Sequence, residues 1–145
     1  MIISASASAI DPPLLQAYLD TEYRVHGRPG FVLRVGHPSA ELLALHDREK
    51  VDCSALVTAC NPFSKPNDAT INTARQAALA EELGRQGLVC LPGVGQHPSN
   101  AWPGEESFLV LGLELEIASA LGRKLEQNAL VWSGADAVPQ LILLR

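Results

Sequence analysis

Residues 51–64 read VDCSALVTACNPFS, and their pattern is that of a buried strand followed by the residues that end it. Apolar side chains fall on both alternating faces of residues 51–60, which is typical of a strand covered on both sides of its sheet. The strand is expected to stop at Asn61 and Pro62, because proline cannot donate to a β-ladder and keeps the preceding residue out of helical backbone. We therefore predict that residues 51–60 form the central strand.

Residues 69–86 are predicted to form the clearest helix of the chain, because they are rich in Ala, Leu, Glu, Gln and Arg. Gly87 follows as a residue that favours the left-handed backbone of a helix end. One face of this helix carries four residues at steps of three, four and four: Asn72, Arg75, Leu79 and Leu83. The face that meets the sheet is therefore polar at its N-terminal end.

The flanking patterns complete an α+β (or α/β) fold, with a single mixed β-sheet of about six to seven strands and three to four helices in one domain, residues 1–145. Residues 51–91 and 107–132 read as strand–helix–strand crossovers, which should be right-handed if their strands are parallel neighbours. The other predicted helices lie at 11–20, with Asp11 as a candidate N-cap before Pro12 and Pro13, after the cap Ser39, and at 114–126. The other predicted strands lie at 23–25, 31–35, 88–91, 107–113, 129–132 and 138–144, and a long loop lies at 92–104.

The composition argues against several classes of partner. The chain has 145 residues, of which 11 are basic and 16 acidic, for a net charge of −5 at pH 7. Nucleic acids and anionic membranes both attract clustered positive charge, so no nucleic-acid and no membrane partner is expected. No segment approaches the ~20 apolar residues of a membrane span, and the first residues lack a basic leader. We expect a cytoplasmic protein.

The cysteines and histidines indicate no metal site. Cys53, Cys60 and Cys90 show no CxxC spacing, and the four histidines show no HxxxH spacing. Cys53 and Cys90 are predicted to be reduced and buried, since each lies in an interior strand. The GxGxxG and GxxxxGKS/T motifs of nucleotide sites are missing as well, so no cofactor is expected.

The candidate site lies where the central strand ends and the next helix begins. Ligands of α/β sheets bind outside the carboxyl ends of strands, and a helix N-terminus favours an anion. Asn61 and Ser64 follow the strand and Asn72 lies in the first turns of the helix. Arg75 would present a planar fork to a carboxylate or phosphate. The plainer alternative is that these are ordinary turn residues and that Arg75 pairs with a nearby acid.

Glu105 and Glu106 follow the long loop. Adjacent strand residues point to opposite faces, so only one of the two carboxylates is expected to face the site. That carboxylate would hold Arg75 or act as a general base if burial raises its pKa, whereas the alternative is a solvated loop end. Gln127 is a further candidate ligand contact, although it and Asn128 also read as a helix stop. No catalytic residue is assigned, and an enzyme and a binding protein both remain alternatives.

These residues predict a site for a small anionic or amide-containing metabolite. The alternative function is a protein-interaction module, in which Trp102, Pro103 and an edge strand at 138–144 present an exposed surface. Pro139 suggests the edge position. Residues 141–144 are consecutively apolar, so the sheet's own helices or a second copy of the chain, as in a homodimer, must cover both faces of this strand.

The same stretches resemble a known family. The matching residues are 58–64 (TACNPFS), Asn72, Arg75, 105–108 (EESF), Leu121, Gly122 and 127–132. They look like the uncharacterised bacterial domain-of-unknown-function family numbered 3293, over residues 18–132. In that family's pattern tryptophan is common at Cys60, phenylalanine at Leu125 and glutamate at Ile71, and the last departure argues against an acid role at position 71. The family has no assigned activity, so the resemblance implies positions and no function.

Overall fold

The computed structural model describes residues 2–3, 9–99 and 104–145, with the backbone alone for residues 2–3. Four helices and one sheet confirm the α+β class. A short 3-10 helix, Pro62–Ser64, precedes α3. The elements in chain order are β1 (Ile2–Ile3), α1 (Pro12–Asp20), β2 (Glu22–Val25), β3 (Phe31–Leu33), α2 (Ala40–Glu49), β4 (Ser54–Val57), α3 (Ala69–Arg85), β5 (Cys90–Gln96), β6 (Glu105–Leu111), α4 (Leu115–Lys124), β7 (Ala129–Ser133) and β8 (Gln140–Leu143).

The strands form one sheet in the order β1-β8-β7-β4-β6-β5-β2-β3. All four residues of β4 are buried, and this strand pairs antiparallel with β6 and β7, as expected of the central strand. Among the described strands only the pairing of the two-residue β1 with β8 is parallel, and every other pairing in the sheet is antiparallel. Both strand–helix–strand units exist, but their strands are not neighbours: β6 lies between β4 and β5, and β4 lies between β6 and β7. The two units interleave.

Helices cover both faces of the sheet. On one face α1 and α2 enclose a core that includes Leu42 and Leu109. On the other, α3 and α4 enclose a core that includes Leu83 and Val110. All four side chains are at most 1% exposed, and burying each stabilises the fold by about 1.5–3 kcal/mol. Because successive strand residues enter opposite cores, the central strands read as apolar on both faces in the sequence.

The predicted helix-end signals operate at two of three positions. The Oγ atom of Ser39 accepts from the backbone N–H of Leu42 at 3.1 Å and caps α2. Gly87 follows α3 with a φ of 71°, in the left-handed region. Asp11 precedes α1 without a side-chain capping hydrogen bond, and Pro12 opens that helix.

β5 is longer than predicted and the following loop is correspondingly shorter. The strand was expected to end at Leu91, because Gly93 and Gly95 are typical of a loop, but it runs to Gln96 and pairs with β2 and β6. A Cβ atom on Gly93 would lie 2.4 Å from the carbonyl oxygen of Arg24. This glycine therefore marks a close approach of two strands rather than a turn.

β8 is not an edge strand, which corrects the prediction drawn from Pro139. It pairs with β7 on one side and with β1 on the other. Alternate residues enter the two cores: Leu141 and Leu143 one, Ile142 and Leu144 the other. The chain's own helices cover both of its faces, so the reason for expecting a homodimer no longer holds.

The hypothesis of a protein-interaction module is no longer supported by an exposed edge strand at 138–144, and its other residues, Trp102 and Pro103, lie outside the described residues.

The cysteines differ in burial. Cys53 is buried, as predicted, but Cys90 is only half-buried because it opens β5 at the margin of the core under α3 and α4. Desolvation raises the pKa of both thiols, so both are held in the unreactive neutral form. None of the helices in the described ranges is long and apolar enough to cross a membrane.

Candidate functional site

A cavity of about 830 Å³ lies between α1 and one end of the sheet. It opens where β4 ends and where β6 and β7 begin, which is the strand end that the sequence singled out. Its volume is within the range of roughly 300–1,000 Å³ typical of small-molecule sites. The inner wall is apolar, with Leu56, Val131 and Leu141, whereas polar side chains gather at the strand ends.

Asn61 is the centre of the polar network at this end of the cavity. Its Nδ2 donates to the carboxylate of Glu105 at 2.9 Å, and its Oδ1 accepts from Nδ2 of Asn72 at 2.8 Å. The same Oδ1 also accepts from the backbone N–H of Asn67 at 2.9 Å, and the backbone N–H of Asn61 donates to Oδ1 of Asn72 at 3.0 Å. The network joins the end of β4, the start of α3 and the start of β6.

The loop after β4 has a strained backbone. Asn61, Phe63 and Ser64 have φ angles of 47°, 54° and 59°, in the left-handed region that costs a residue other than glycine about 1–2 kcal/mol. Such strain persists only where the surroundings impose it, and it is concentrated at functional sites. Here the backbone N–H of Phe63 donates to the carbonyl of Glu126 at 2.6 Å, and the guanidinium of Arg145 lies 4.4 Å from the centre of the Phe63 ring.

Glu105, rather than Glu106, provides the carboxylate of the network. Burial raises the pKa of Glu105, and the hydrogen bond from Asn61 opposes that shift only in part. Glu106 is exposed at the rim. Gly95 lies opposite Glu105 in the sheet, and a Cβ atom there would be in van der Waals contact with the Tyr23 ring, at 3.4 Å. Burial also raises the pKa of the Tyr23 phenol, and the charge of Glu105 adds to the shift.

A second polar cluster closes the cavity against α1. The hydroxyl groups of Ser64 and Tyr18 share a short hydrogen bond. Nδ2 of Asn128 donates to Ser64 at 3.1 Å and to Tyr18 at 3.3 Å. Sequence reasoning missed Tyr18 and Tyr23, because it treated them as apolar residues of a helix and a strand. The signal that could have identified them is that they are the two tyrosines of the chain. Asn128 was interpreted as a helix stop.

Arg75 does not line the cavity, which corrects its predicted role as a fork for an anion. Its Nε donates to the carbonyl of Ala59 at 2.6 Å and its Nη2 to the carbonyl of Leu125 at 3.1 Å. It therefore ties the end of β4 to the end of α4, and the contact with a glutamate is not formed. Gln127 is buried and does line the cavity, but its Nε2 donates to the carbonyls of Cys60 and Leu125 at 3.0 and 3.2 Å.

The predicted site residues thus separate into two groups. Asn61, Ser64, Asn72 and Glu105 face the cavity and Glu106 is exposed at its rim, while Arg75 and the amide nitrogen of Gln127 hold the backbone behind it. Within the described part of the chain, no three His, Cys, Asp or Glu side chains are grouped to hold a metal ion.

The fold and the cavity define an α+β protein with a polar pocket at the end of a single sheet. A family model described as "Protein of unknown function (DUF3293)" matches residues 57–130. The chain therefore belongs to the DUF3293 family, which confirms the resemblance seen in its sequence. The matched span includes Asn61, Asn72 and Glu105, whereas Tyr18 precedes it. Neither a curated protein nor a solved structure was found to match the chain.

The raised pKa of Glu105 predicts a pH-dependent effect of the Glu105→Gln substitution. The unfolded chain ionises this group near its ordinary pKa of 4.5, whereas the folded chain holds the proton to higher pH. Folding is therefore favoured by this group below pH 4.5, and that contribution is lost as the pH rises through the folded pKa. Glutamine does not titrate, so the variant should gain stability relative to the natural chain as the pH rises through the folded pKa of Glu105.

Urea unfolding of both chains between pH 4 and pH 8 measures this difference. Glu106→Gln is the matched control, because Glu106 is exposed and no such pH-dependent gain is expected there. A difference between Glu105→Gln and the natural chain that stays constant with pH would show that Glu105 is solvated.

Proposed function

We propose that this protein binds a small organic molecule in the cavity between α1 and the sheet, with the Glu105 carboxylate receiving the polar end of the ligand. The observation that carries this proposal is a half-buried carboxylate at the edge of a largely apolar cavity, positioned by Asn61. A carboxylate that is partly removed from water lowers the stability of the fold. Groups with perturbed pKa values occur preferentially at functional sites.

The lining supports an amide-containing ligand better than an anionic one. Among the described residues that line the cavity there is no arginine or lysine, and Arg75 is engaged behind it. The polar groups of the lining are two carboxylates, hydroxyl groups, side-chain amides and the His97 imidazole, and the carboxylates and hydroxyl groups suit a neutral or cationic molecule with N–H donors. The apolar wall of Leu56, Val131 and Leu141 would cover a ring or an alkyl chain. If the bound molecule reacts, Glu105 is the side chain placed to accept a proton.

A matched set of ring compounds tests this proposal by thermal shift. Benzamide and benzylamine present N–H donors and benzoate presents an anion on the same ring, so the first two should raise Tm and benzoate should not. A ligand at 100 times its Kd adds about 2.7 kcal/mol to the stability of the fold. Glu105→Gln should abolish the benzylamine shift, whereas Glu116→Gln should retain it, because Glu116 is exposed on α4 and is not part of the cavity lining. Equal shifts with benzoate, or an unchanged benzylamine shift in Glu105→Gln, would contradict the proposal.

We also propose a cytoplasmic location. It is supported by three cysteines that are all free thiols, two of them buried and Cys90 half-buried, since free thiols persist in a reducing compartment.

A further inference from the structure

Glu105 and Tyr18 lie on the same side of the sheet. Alternate residues of a strand share a face, so Glu105 is on the face of β6 that carries Leu109 and Leu111. These two leucines belong to the core that α1 and α2 cover, and Tyr18 of α1 packs against that core. Both Glu105 and Tyr18 line the cavity between α1 and the sheet, and a ligand in this cavity can therefore meet both.

Tyr23 connects these two parts of the cavity wall. Its ring lies beside Gly95, the residue paired with Glu105 across β5 and β6. Its hydroxyl donates to the backbone carbonyl of Tyr18 at 3.2 Å. A ligand that lies along the Tyr23 ring therefore extends from Glu105 towards α1.

The orientation of the Asn128 amide fixes the hydrogen bonds at the α1 end. Its Oδ1 accepts from Nη1 of Arg145 at 3.1 Å, and a guanidinium can only donate. The two ends of the amide therefore cannot be exchanged. Its Nδ2 donates to the hydroxyl oxygens of Ser64 and Tyr18, which we call the hydroxyl pair.

The hydroxyl pair has one more proton than it has acceptors. Both oxygens accept from Asn128, and the pair shares one hydrogen bond, which uses the proton of either Ser64 or Tyr18. No other acceptor for these two hydroxyls is found in the described ranges of the chain. One O–H group is therefore left to donate to a molecule in the cavity, which both residues line.

We propose that the ligand of this cavity is an amine or amide that carries a neutral carbonyl group at its far end, and that the hydroxyl pair donates to this carbonyl. The inference rests on the proposed function, because the N–H end of the ligand is the end that Glu105 receives. A carbonyl oxygen is an acceptor without charge, and the described lining of the cavity offers no arginine or lysine for a charged group. The ligand class is thus bifunctional, with a donor at one end and an acceptor at the other.

Two benzylamines of nearly the same shape test this inference by calorimetric titration of the full-length protein. 4-Acetylbenzylamine has the carbonyl acceptor, and 4-isopropylbenzylamine replaces it with a methyl group. We expect the ketone to bind roughly fivefold more tightly, the gain from one net hydrogen bond. If both compounds bind and the isopropyl compound binds as tightly as the ketone, this inference alone is overturned. If neither compound binds, the proposed function fails with it.

Variants of the hydroxyl pair show where the preference for the ketone arises. Tyr18→Phe/Ser64→Ala removes both hydroxyls, so the ratio of the two Kd values should fall to about one. Either single substitution should keep a preference for the ketone, because the remaining hydroxyl then has its own proton free. Glu105→Gln should instead weaken both compounds, which separates the two ends of the ligand.

Asn128→Asp tests the proton count without removing either hydroxyl. The aspartate places an acceptor oxygen where Nδ2 lies, and this oxygen takes the proton that the hydroxyl pair would otherwise give to the ligand. The preference for the ketone should therefore be lost in Asn128→Asp, as in the double variant. A preference that persists in either of these two variants would show that the ketone is recognised elsewhere and would overturn the inference.

Discussion

Replacing Asn61 by alanine is expected to lower the free energy of unfolding by about 4 kcal/mol. The substitution removes the donor to Glu105 and the acceptor of two N–H groups, from Asn67 and Asn72. Each group left unsatisfied costs about 1–3 kcal/mol when buried, and these groups are only partly buried, so the lower part of that range applies. Alanine also tolerates the left-handed backbone at position 61 less well than asparagine does.

Asn61→Gly separates these two causes. Glycine loses the same three side-chain hydrogen bonds but adopts a φ of 47° without strain. It should therefore be about 1 kcal/mol less destabilising than alanine. Chemical denaturation of both variants at pH 7 measures the values. An alanine variant within about 1 kcal/mol of the natural chain would show that the network adds little to the fold.

Gly93→Ala is expected to destabilise the protein by about 2–4 kcal/mol, because a methyl group there overpacks the sheet. The new Cβ would lie 2.4 Å from the carbonyl oxygen of Arg24, a backbone atom that cannot rotate away. The β2–β3 hairpin would have to move away from β5, and Tyr23 at the cavity wall would move with it.

Gly84→Ala is the matched control for this prediction. Nothing lies within 4 Å of a Cβ atom at Gly84, which is in α3. Alanine is preferred over glycine in a helix by about 0.5–1 kcal/mol, so this variant should be slightly more stable than the natural chain. Thermal unfolding of the two variants should therefore move in opposite directions. A Gly93→Ala variant as stable as Gly84→Ala would contradict the close approach of β2 and β5.

Local signals were sufficient to predict the central strand and the helix that follows it. Residues 51–60 are apolar on both faces because β4 lies between two cores, and the helix at 69–86 ends at a glycine with positive φ. The order of the strands in the sheet could not be predicted in this way. β4 pairs with β6, although α3 and β5 lie between these two strands in the chain. No local sequence pattern indicates that β6 lies between β4 and β5 in the sheet.

The site was predictable where its residues are adjacent to a strand end. Asn61 follows the end of β4, Asn72 lies in the first turn of the next helix, and Glu105 begins the strand paired with β4, so their convergence follows from the sheet geometry. Arg75 was misassigned because its donors suit a ligand anion and a backbone carbonyl equally, and one acceptor, Leu125, lies 50 residues away. Tyr18 reaches Ser64 across 46 residues of sequence, and its helix reads as an ordinary apolar face.

The measurement that tests the central claim most directly is a titration of the Glu105 side-chain carboxyl resonance with benzamide in ¹³C-labelled, full-length protein. If the cavity binds small amides through this carboxylate, the Glu105 signal shifts and saturates while that of Glu116, which is exposed on α4, stays nearly constant. A Glu105 signal that does not move as benzamide saturates the protein, or one that moves no more than that of Glu116, would contradict the account.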